Sequence, residues 1–117
     1  MTCILLTGSS RGIGAAAKSA LDARGAKVIG QATSSDRTDT VPADFSEPFA
    51  ARELWDAALA RAGGTIDVLV NNAGRFTASP LDASDMQWLD AWEDTLRINL
   101  TAAAQLSRFA VQHWQQR

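Results

Sequence analysis

The run Thr7-Gly8-Ser9-Ser10-Arg11-Gly12-Ile13-Gly14 constrains this chain more than any other stretch. It follows a short apolar segment, Ile4-Leu5-Leu6, and leads into an alanine-rich stretch without a breaker, Ile13 to Arg24. A brief apolar run that ends at a glycine-bearing turn reads as a buried strand. The alanine-rich stretch suits a helix, and Gly25 supplies its stop. The glycines between them have separate uses. Gly8 permits a tight turn as the strand ends, Gly12 lets backbone approach a phosphate, and Gly14 lets the helix pack closely on the sheet. The helix N-terminus then offers free N–H groups and a partial positive charge to a pyrophosphate. The spacing is Gly-x3-Gly-x-Gly, not the Gly-x-Gly-x2-Gly of the general dinucleotide fingerprint. A glycine-rich turn that holds no ligand is the competing reading of this run alone.

The rest of the chain continues the alternation. Lys27 to Thr33 reads as a second strand with Val28 and Ile29 buried, and Ser34 to Val41 as a polar loop too short for a full helix. A short third strand is expected around Thr40 to Ala43. Ser46 is placed to cap a helix with Glu47 and Pro48 in its first turn, running to about Ala62 and stopping at Gly63-Gly64. Asp67-Val68-Leu69-Val70 is the fourth strand, and Arg75 to Ala83 a loop. Ser84 and Gln87 have capping-box spacing. A long amphipathic helix follows, with Leu89, Trp92, Leu96, Leu100 and Ala103 on one stripe and one break around Trp88 to Glu93. Strands alternating with helices predict an α/β fold: a Rossmann-like, doubly wound parallel sheet with helices on both faces. Right-handed crossovers constrain the topology, and the expected strand order is 3-2-1-4, with ligands at the switch point between strands 1 and 4.

Composition narrows the function classes. The formal net charge of -2 provides no basic field for nucleic acid or anionic lipid. No apolar run approaches the ~20 residues that span a bilayer. The single cysteine, Cys3, excludes an internal disulfide and a cysteine-rich zinc site, and fits a cytoplasmic setting. Residues 1–117 read as one domain part with no linker or repeat.

The ordered motifs resemble the short-chain dehydrogenase/reductase family. Thr-Gly-x3-Gly-Ile-Gly after a first strand is one signature, and Asn71-Asn72-Ala73-Gly74 after Ile66-Asp67-Val68-Leu69-Val70 is similar to the family's fourth-strand signature. Turn-forming Asn and Gly alone would not require it. By this resemblance the cofactor-binding residues are Gly8, Ser10, Arg11, Gly12, Ile13, Gly14, Thr33, Asp44, Phe45, Asn71, Ala73 and Gly74. Asp44 would reach the edge of the adenine ring; a helix-capping role competes locally. Trp92 stands seven residues before Asn99-Leu100, the spacing at which the family places its catalytic asparagine. Asn99 is therefore the catalytic candidate, holding a water in a proton relay. Two segments depart from the family: Ser34 to Val41 is short, and Arg75 to Asp90 is long.

Cofactor choice is expected at the end of the second strand. An acidic residue there would bind the ribose 2′-OH and repel a 2′-phosphate. Ala32 occupies that position, and Arg11 would lie near the same ribose, where a guanidinium suits phosphate. Thr33 and Ser34 add hydroxyls. The run Ala-Lys-Val-Ile-Gly-x-Ala-Thr-Ser is similar to 3-oxoacyl-ACP reductases, which implies NADP(H) over NAD(H). Asp36 opposes this, since a one-turn shift would bring it to the ribose, and Arg11 also reads as a solvated loop charge.

The family's chemistry is hydride transfer at a carbonyl or alcohol carbon, with a Tyr-x3-Lys pair and a serine after a fifth strand. This chain contains no tyrosine and stops at Arg117, before that strand. Of the family's four catalytic residues it supplies Asn99 alone. Two classes of function follow. One is an NADP(H)-dependent oxidoreductase acting on a small carbonyl or alcohol, represented by its N-terminal part and forming a homo-oligomer through the helix at 84–116. The other is a non-catalytic nucleotide-binding or interaction module. A rearranged assembly of swapped chains is a third possibility. Strand 4 would form an open apolar edge. Phe76, Trp88 and Trp92 are expected in the core rather than on substrate.

Overall fold

The computed structural model describes residues Met1–Arg117. The elements are β1 (Cys3–Leu6), α1 (Gly12–Ala23), β2 (Lys27–Ala32), β3 (Thr40–Pro42), α2 (Ala50–Arg61), β4 (Val68–Val70), α3 (Asp85–Leu96) and α4 (Ala102–Gln115). A π-helical turn, Arg97–Thr101, joins the last two. The sheet is parallel throughout, in the order β3-β2-β1-β4, as the sequence predicts. β1 is central, with Leu5 paired to Ile29 on one side and Leu69 on the other. Every residue of β1 is buried, which is why it reads as continuously apolar rather than alternating.

Alternation along the strands separates two layers. Cys3, Leu5 and Ile29 join the larger core with Leu54, Trp55 and Ala58 of α2 and Leu106, Phe109 and Ala110 of α4. Ile4, Leu6 and Val28 belong to the other face of the sheet, where α1 packs. Each fully buried aliphatic side chain contributes about 1.5–3 kcal/mol; Leu5, Ile29, Leu54, Ile66 and Leu106 are of this kind. The end of α4 is clasped to the start of β4. His113 Nε2 accepts the Ile66 N–H at 3.2 Å, and Trp114 Nε1 donates to Ile66 O at 3.0 Å. Arg117 pairs with Asp67 at 2.9 Å, and Asp67 in turn accepts the Cys3 N–H at 2.8 Å.

Several boundaries differ from expectation. β2 ends at Ala32, so Thr33 lies in the loop. The second helix starts at Ala50 with Phe49 at its N-cap, not at Ser46. Ser46 is occupied: its N–H and hydroxyl both donate to Asp44 Oδ1, at 3.0 and 2.7 Å, which closes a turn before the helix begins. Ser84 and Gln87 do form the capping box. The helix break falls at Arg97–Thr101 rather than at Trp88 to Glu93. Asn99 Nδ2 donates to Thr95 O at 3.0 Å, and Thr95 Oγ1 donates to Ala91 O at 2.7 Å. Side chains that compete for ladder carbonyls in this way loosen the i→i−4 pattern.

The apolar stripe on the last helices also needs correction. Leu89, Trp92, Leu96 and Leu100 are exposed, and α3 buries no residue. The buried stripe is instead Ile98, Ala102, Leu106, Phe109 and Ala110. Phe76, Trp88 and Trp92, expected in the core, are exposed, the two tryptophans stacked at 5.4 Å. The radius of gyration is 15.2 Å, against about 13 Å for a compact chain of this length.

Candidate functional site

A cleft of ≈ 660 Å³ opens beyond the carboxyl ends of the strands. All four strands feed it: Gly8 to Gly14 after β1, Thr33 to Ser35 after β2, Ala43 to Phe45 after β3, and Asn72 to Arg75 after β4. This is the position a switch point between β1 and β4 dictates.

The floor is the glycine run. Gly8 has φ +67°, a conformation glycine adopts without strain, and it turns the chain out of β1. A Cβ on Gly14 would overlap the Gly8 carbonyl oxygen, so only glycine lets α1 sit this close to the loop. Arg11 is the N-cap, with extended backbone and no side-chain cap. The N–H groups of Ser10, Arg11, Gly12, Ile13 and Gly14 make no hydrogen bond within the chain; the first helical bond is Ala15 N–H to Arg11 O. Consecutive unpaired amides at a helix N-terminus form an anion cradle. The pyrophosphate of a dinucleotide fits this donor set.

Three side chains outside the sequence-based list hold the loop in place. Thr7 Oγ1 accepts the N–H groups of Asn72 and Ala73 at 3.0 and 2.9 Å, tying the end of β1 to the Asn-Asn-Ala-Gly turn. Asn72 Nδ2 donates to Gly8 O at 3.1 Å. Gln31 Oε1 accepts the Gly8 N–H at 2.8 Å. A signal for Gln31 existed in the sequence: it is a polar residue inside the apolar strand Val28 to Ala32.

Among the expected site residues, Gly8, Ser10, Arg11, Gly12, Ile13, Gly14, Thr33, Asp44, Phe45, Ala73 and Gly74 all line the cleft. Asn71 does not. Residues leaving a strand alternate in direction, and Asn71 Nδ2 instead donates to Ser107 Oγ at 3.1 Å on α4, while Asn72 faces the cleft. Asn99 stands just behind the cleft wall. Its Oδ1 accepts the Arg75 N–H at 2.9 Å and its Nδ2 donates to Arg75 O at 2.6 Å, so its side chain pins the backbone after Gly74.

Charge is distributed unevenly. Arg11 is exposed and joins no ion pair within the chain. The Asp44 carboxyl is held below its usual range, first by the Ser46 hydroxyl, then by the Ser46 N–H, with Arg75 adding to the effect. Asp36 is bound elsewhere: its carboxylate pairs with Arg61 at 3.1 Å, and Arg61 also grips Thr40 O at 3.0 Å. Lys18 bridges Asp22 and Asp39 at 2.7 and 2.8 Å, fastening the same short loop to α1.

Comparison with known proteins agrees with this geometry. The short chain dehydrogenase family model matches residues 2–117. The chain is 36% identical to the short chain dehydrogenase prhI of Penicillium brasilianum over 113 residues, 90% of this chain and 43% of that protein. It is 34% identical to the 3-oxoacyl-acyl-carrier-protein reductase FabG of Escherichia coli (strain K12), covering 89% of this chain and 46% of that one. Among solved structures, a blue fluorescent protein from a metagenomic library, in complex with NADPH, superposes with TM-score 0.79 at 32% identity. That match covers 95% of this chain and 50% of the other. The chain thus spans about half the length of the relatives it matches. With the family model reaching from its second residue to its last, and its signature turns built into one cleft, the chain belongs to the short chain dehydrogenase family.

Proposed function

We propose that this chain is the cofactor-binding part of an NADP(H)-dependent oxidoreductase acting on a carbonyl or alcohol. The observation that carries the reading is the unpaired amide run from Ser10 to Gly14, facing the cleft at the N-terminus of α1. Those amides would hold the pyrophosphate. Phe45 and Asp44 would border the adenine. The bound nicotinamide supplies or accepts the hydride. Asn99 positions the backbone of Arg75 at the cleft wall.

The preference for NADP(H) rests on three features. The residue at the end of β2 is Ala32, which offers no carboxylate to a ribose 2′-OH. Arg11 is free of internal carboxylates and lines the same cleft as Thr33 and Ser34. Asp36, the acid that argued for NAD(H), is committed to Arg61. Superposing structures include one in complex with NADPH and one with NADH, so the preference rests on the residues of this cleft.

Binding and turnover are separable in this chain. It has no tyrosine, so the acid–base group of the family's chemistry has no counterpart among these residues. On this reading the 117 residues bind cofactor, and turnover calls for an acid–base group that they do not contain. The exposed apolar side chains of α3, Trp88, Leu89, Trp92 and Leu96, support a homo-oligomer in which a second copy covers them. No helix is long and apolar enough to cross a membrane. The buried free Cys3 fits a reducing, cytoplasmic compartment.

The test is a titration of the chain with NADPH and NADH, followed by thermal shift and calorimetry. NADPH is expected to raise the melting temperature more than NADH. No shift with either, or tighter binding of NADH, overturns the reading.

A further inference from the structure

Gln31 is 4% exposed in the middle of a parallel sheet, where an apolar residue is the rule. Burying an amide without partners is costly, yet here both of its ends are bonded. Oε1 accepts the Gly8 N–H at 2.8 Å, and Nε2 donates to Ala43 O at 2.7 Å. Its main-chain oxygen also accepts the Ser9 N–H at 3.0 Å. Strand register between β1 and β2 ends at Leu6 with Gly30, and between β2 and β3 at Ala32 with Pro42, with one backbone bond continuing past each, Ser9 N–H to Gln31 O and Ala43 N–H to Ala32 O at 2.9 Å. Gly8 and Ala43 lie beyond those last pairs. The Gln31 side chain therefore acts as one more rung on both sides of β2, made by a side chain instead of backbone.

The two backbone groups it joins belong to opposite walls of the cleft. Gly8 opens the loop whose later amides, Ser10 to Gly14, stay unpaired. Ala43 immediately precedes Asp44 and Phe45. Gly8 is held from both ends, its N–H by Gln31 and its carbonyl by Asn72. A glycine at φ +67° has no side chain to fix it, so this bond supplies the constraint.

We infer that Gln31 is a positioning residue for cofactor binding: its amide locks the glycine loop to the end of β3 and so sets the gap between the phosphate cradle and the adenine wall. The inference rests on the cofactor reading above. The Gly8–Gln31–Ala43 bridge transmits a shift of either wall to the other. An apolar residue of equal volume would fill the sheet and keep the backbone bonds at Ser9 and Ala43, but would leave the Gly8 N–H and the Ala43 carbonyl without this tie.

Two variants of the full chain test this role. In Gln31→Met the volume is nearly kept and both bonds are lost. NADPH affinity, followed by cofactor fluorescence well below the variant's melting temperature, is expected to fall about tenfold, the order that lost hydrogen bonds imply. In Gln31→Glu the ionised carboxylate accepts from Gly8 but cannot donate to Ala43, whereas the protonated acid can do both. Its affinity relative to the parent should therefore recover as pH falls from about 8 to about 5.5, approaching the carboxyl range. Arg11, Asp44 and Arg75, the charged residues bordering the cleft, are common to both proteins and cancel in that ratio. A residue that only supports the sheet would lower the melting temperature and leave affinity and ratio unmoved; that outcome overturns the assignment. Failure of the parent chain to bind NADPH instead overturns the cofactor reading, and the role with it. If Gln31→Met does not fold, the pH dependence of the Gln31→Glu ratio decides.

Discussion

Replacing Gly14 by alanine should be the most damaging glycine substitution among those with ordinary backbone angles. The added Cβ would overlap the Gly8 carbonyl oxygen and lie 2.7 Å from Asn72 Nδ2 and 2.8 Å from the Gly8 carbonyl carbon. A carbon rests about 3.3 Å or more from a carbonyl oxygen, and the overlap with the Gly8 oxygen means that α1 must retreat from the loop by more than about 1 Å. Overpacking of this kind costs about 1–3 kcal/mol. Loss of the Asn72 to Gly8 bond adds about 1 kcal/mol. Alanine's advantage over glycine inside a helix, about 1 kcal/mol, offsets part of this. The net cost of about 1–3 kcal/mol corresponds to a melting temperature lower by about 4–12 °C in a domain of this size. Gly30→Ala and Gly74→Ala provide the contrast, because the atoms they meet first, Ser9 Oγ with Ser9 Cβ at 3.0 Å behind it and Asn99 Oδ1 at 2.9 Å, belong to side chains, whose displacement costs a hydrogen bond to Gln31 O or Arg75 N–H but no backbone movement of a second element. Circular dichroism melts of the three variants should rank Gly14→Ala as the least stable. A Gly14→Ala midpoint within about 2 °C of the parent, or a larger loss in either contrast variant, would refute the packing argument.

Other expectations follow from the same structure. Ala32→Asp should reverse the cofactor preference, weakening NADPH by roughly tenfold or more through charge repulsion while sparing NADH; equal losses for both cofactors, measured by calorimetry, would count against the placement of the ribose. The Asp67 carboxyl is held below its usual range by the Cys3 N–H and then by Arg117. Its contribution to stability is thus present above the unfolded carboxyl pKa, about 3.9, and is lost as pH falls through the lower folded value. Asp67→Asn should flatten the fall in melting temperature between about pH 5 and pH 3, with Asp39 and Asp44, also depressed, leaving a residual slope; an unchanged slope would show that Asp67 is not the group concerned. Trp92→Glu together with Leu96→Glu should shift the solution mass by light scattering to that of a single chain, and an unaltered mass would remove α3 from the interface.

The legible parts of this fold are those whose signals are local. β1 and the glycine run stand next to each other in the sequence, and each glycine's use depends on neighbours a few residues away. Crossover handedness narrows the strand order, and the glycine turn after β1 marks the switch point. The capping box at Ser84 and Gln87 is a four-residue device, and it forms. Local signals fail where a competitor is close or a partner is distant. Ser46 carries a fair capping signal, but Asp44, two residues earlier, takes both its donors. The helix break falls at Arg97–Thr101, where Asn99 donates to Thr95 O within the helix and also grips Arg75, a partner 24 positions away that periodicity does not report. The apolar stripe of α3 faces outward, because periodicity reports that a helix has two faces, not which one the fold covers.

The site residues divide in the same way. Those expected to touch cofactor are mostly glycines and small residues, whose contribution is backbone; the sequence identifies them through spacing. The side chains that make the backbone rigid, Thr7, Gln31, Asn72 and Asn99, hold the cleft by bonds to main-chain groups 12 to 66 positions away. Spacing cannot reveal such pairs. They are nevertheless required by the glycines themselves, because a residue free of Cβ constraints loses more conformational freedom on folding than any other. A cradle built from flexible backbone binds well only if something else holds it still before the ligand arrives. In this chain that task falls to uncharged amides and one hydroxyl, which can donate or accept within the fold without adding charge to a cleft meant for a phosphate.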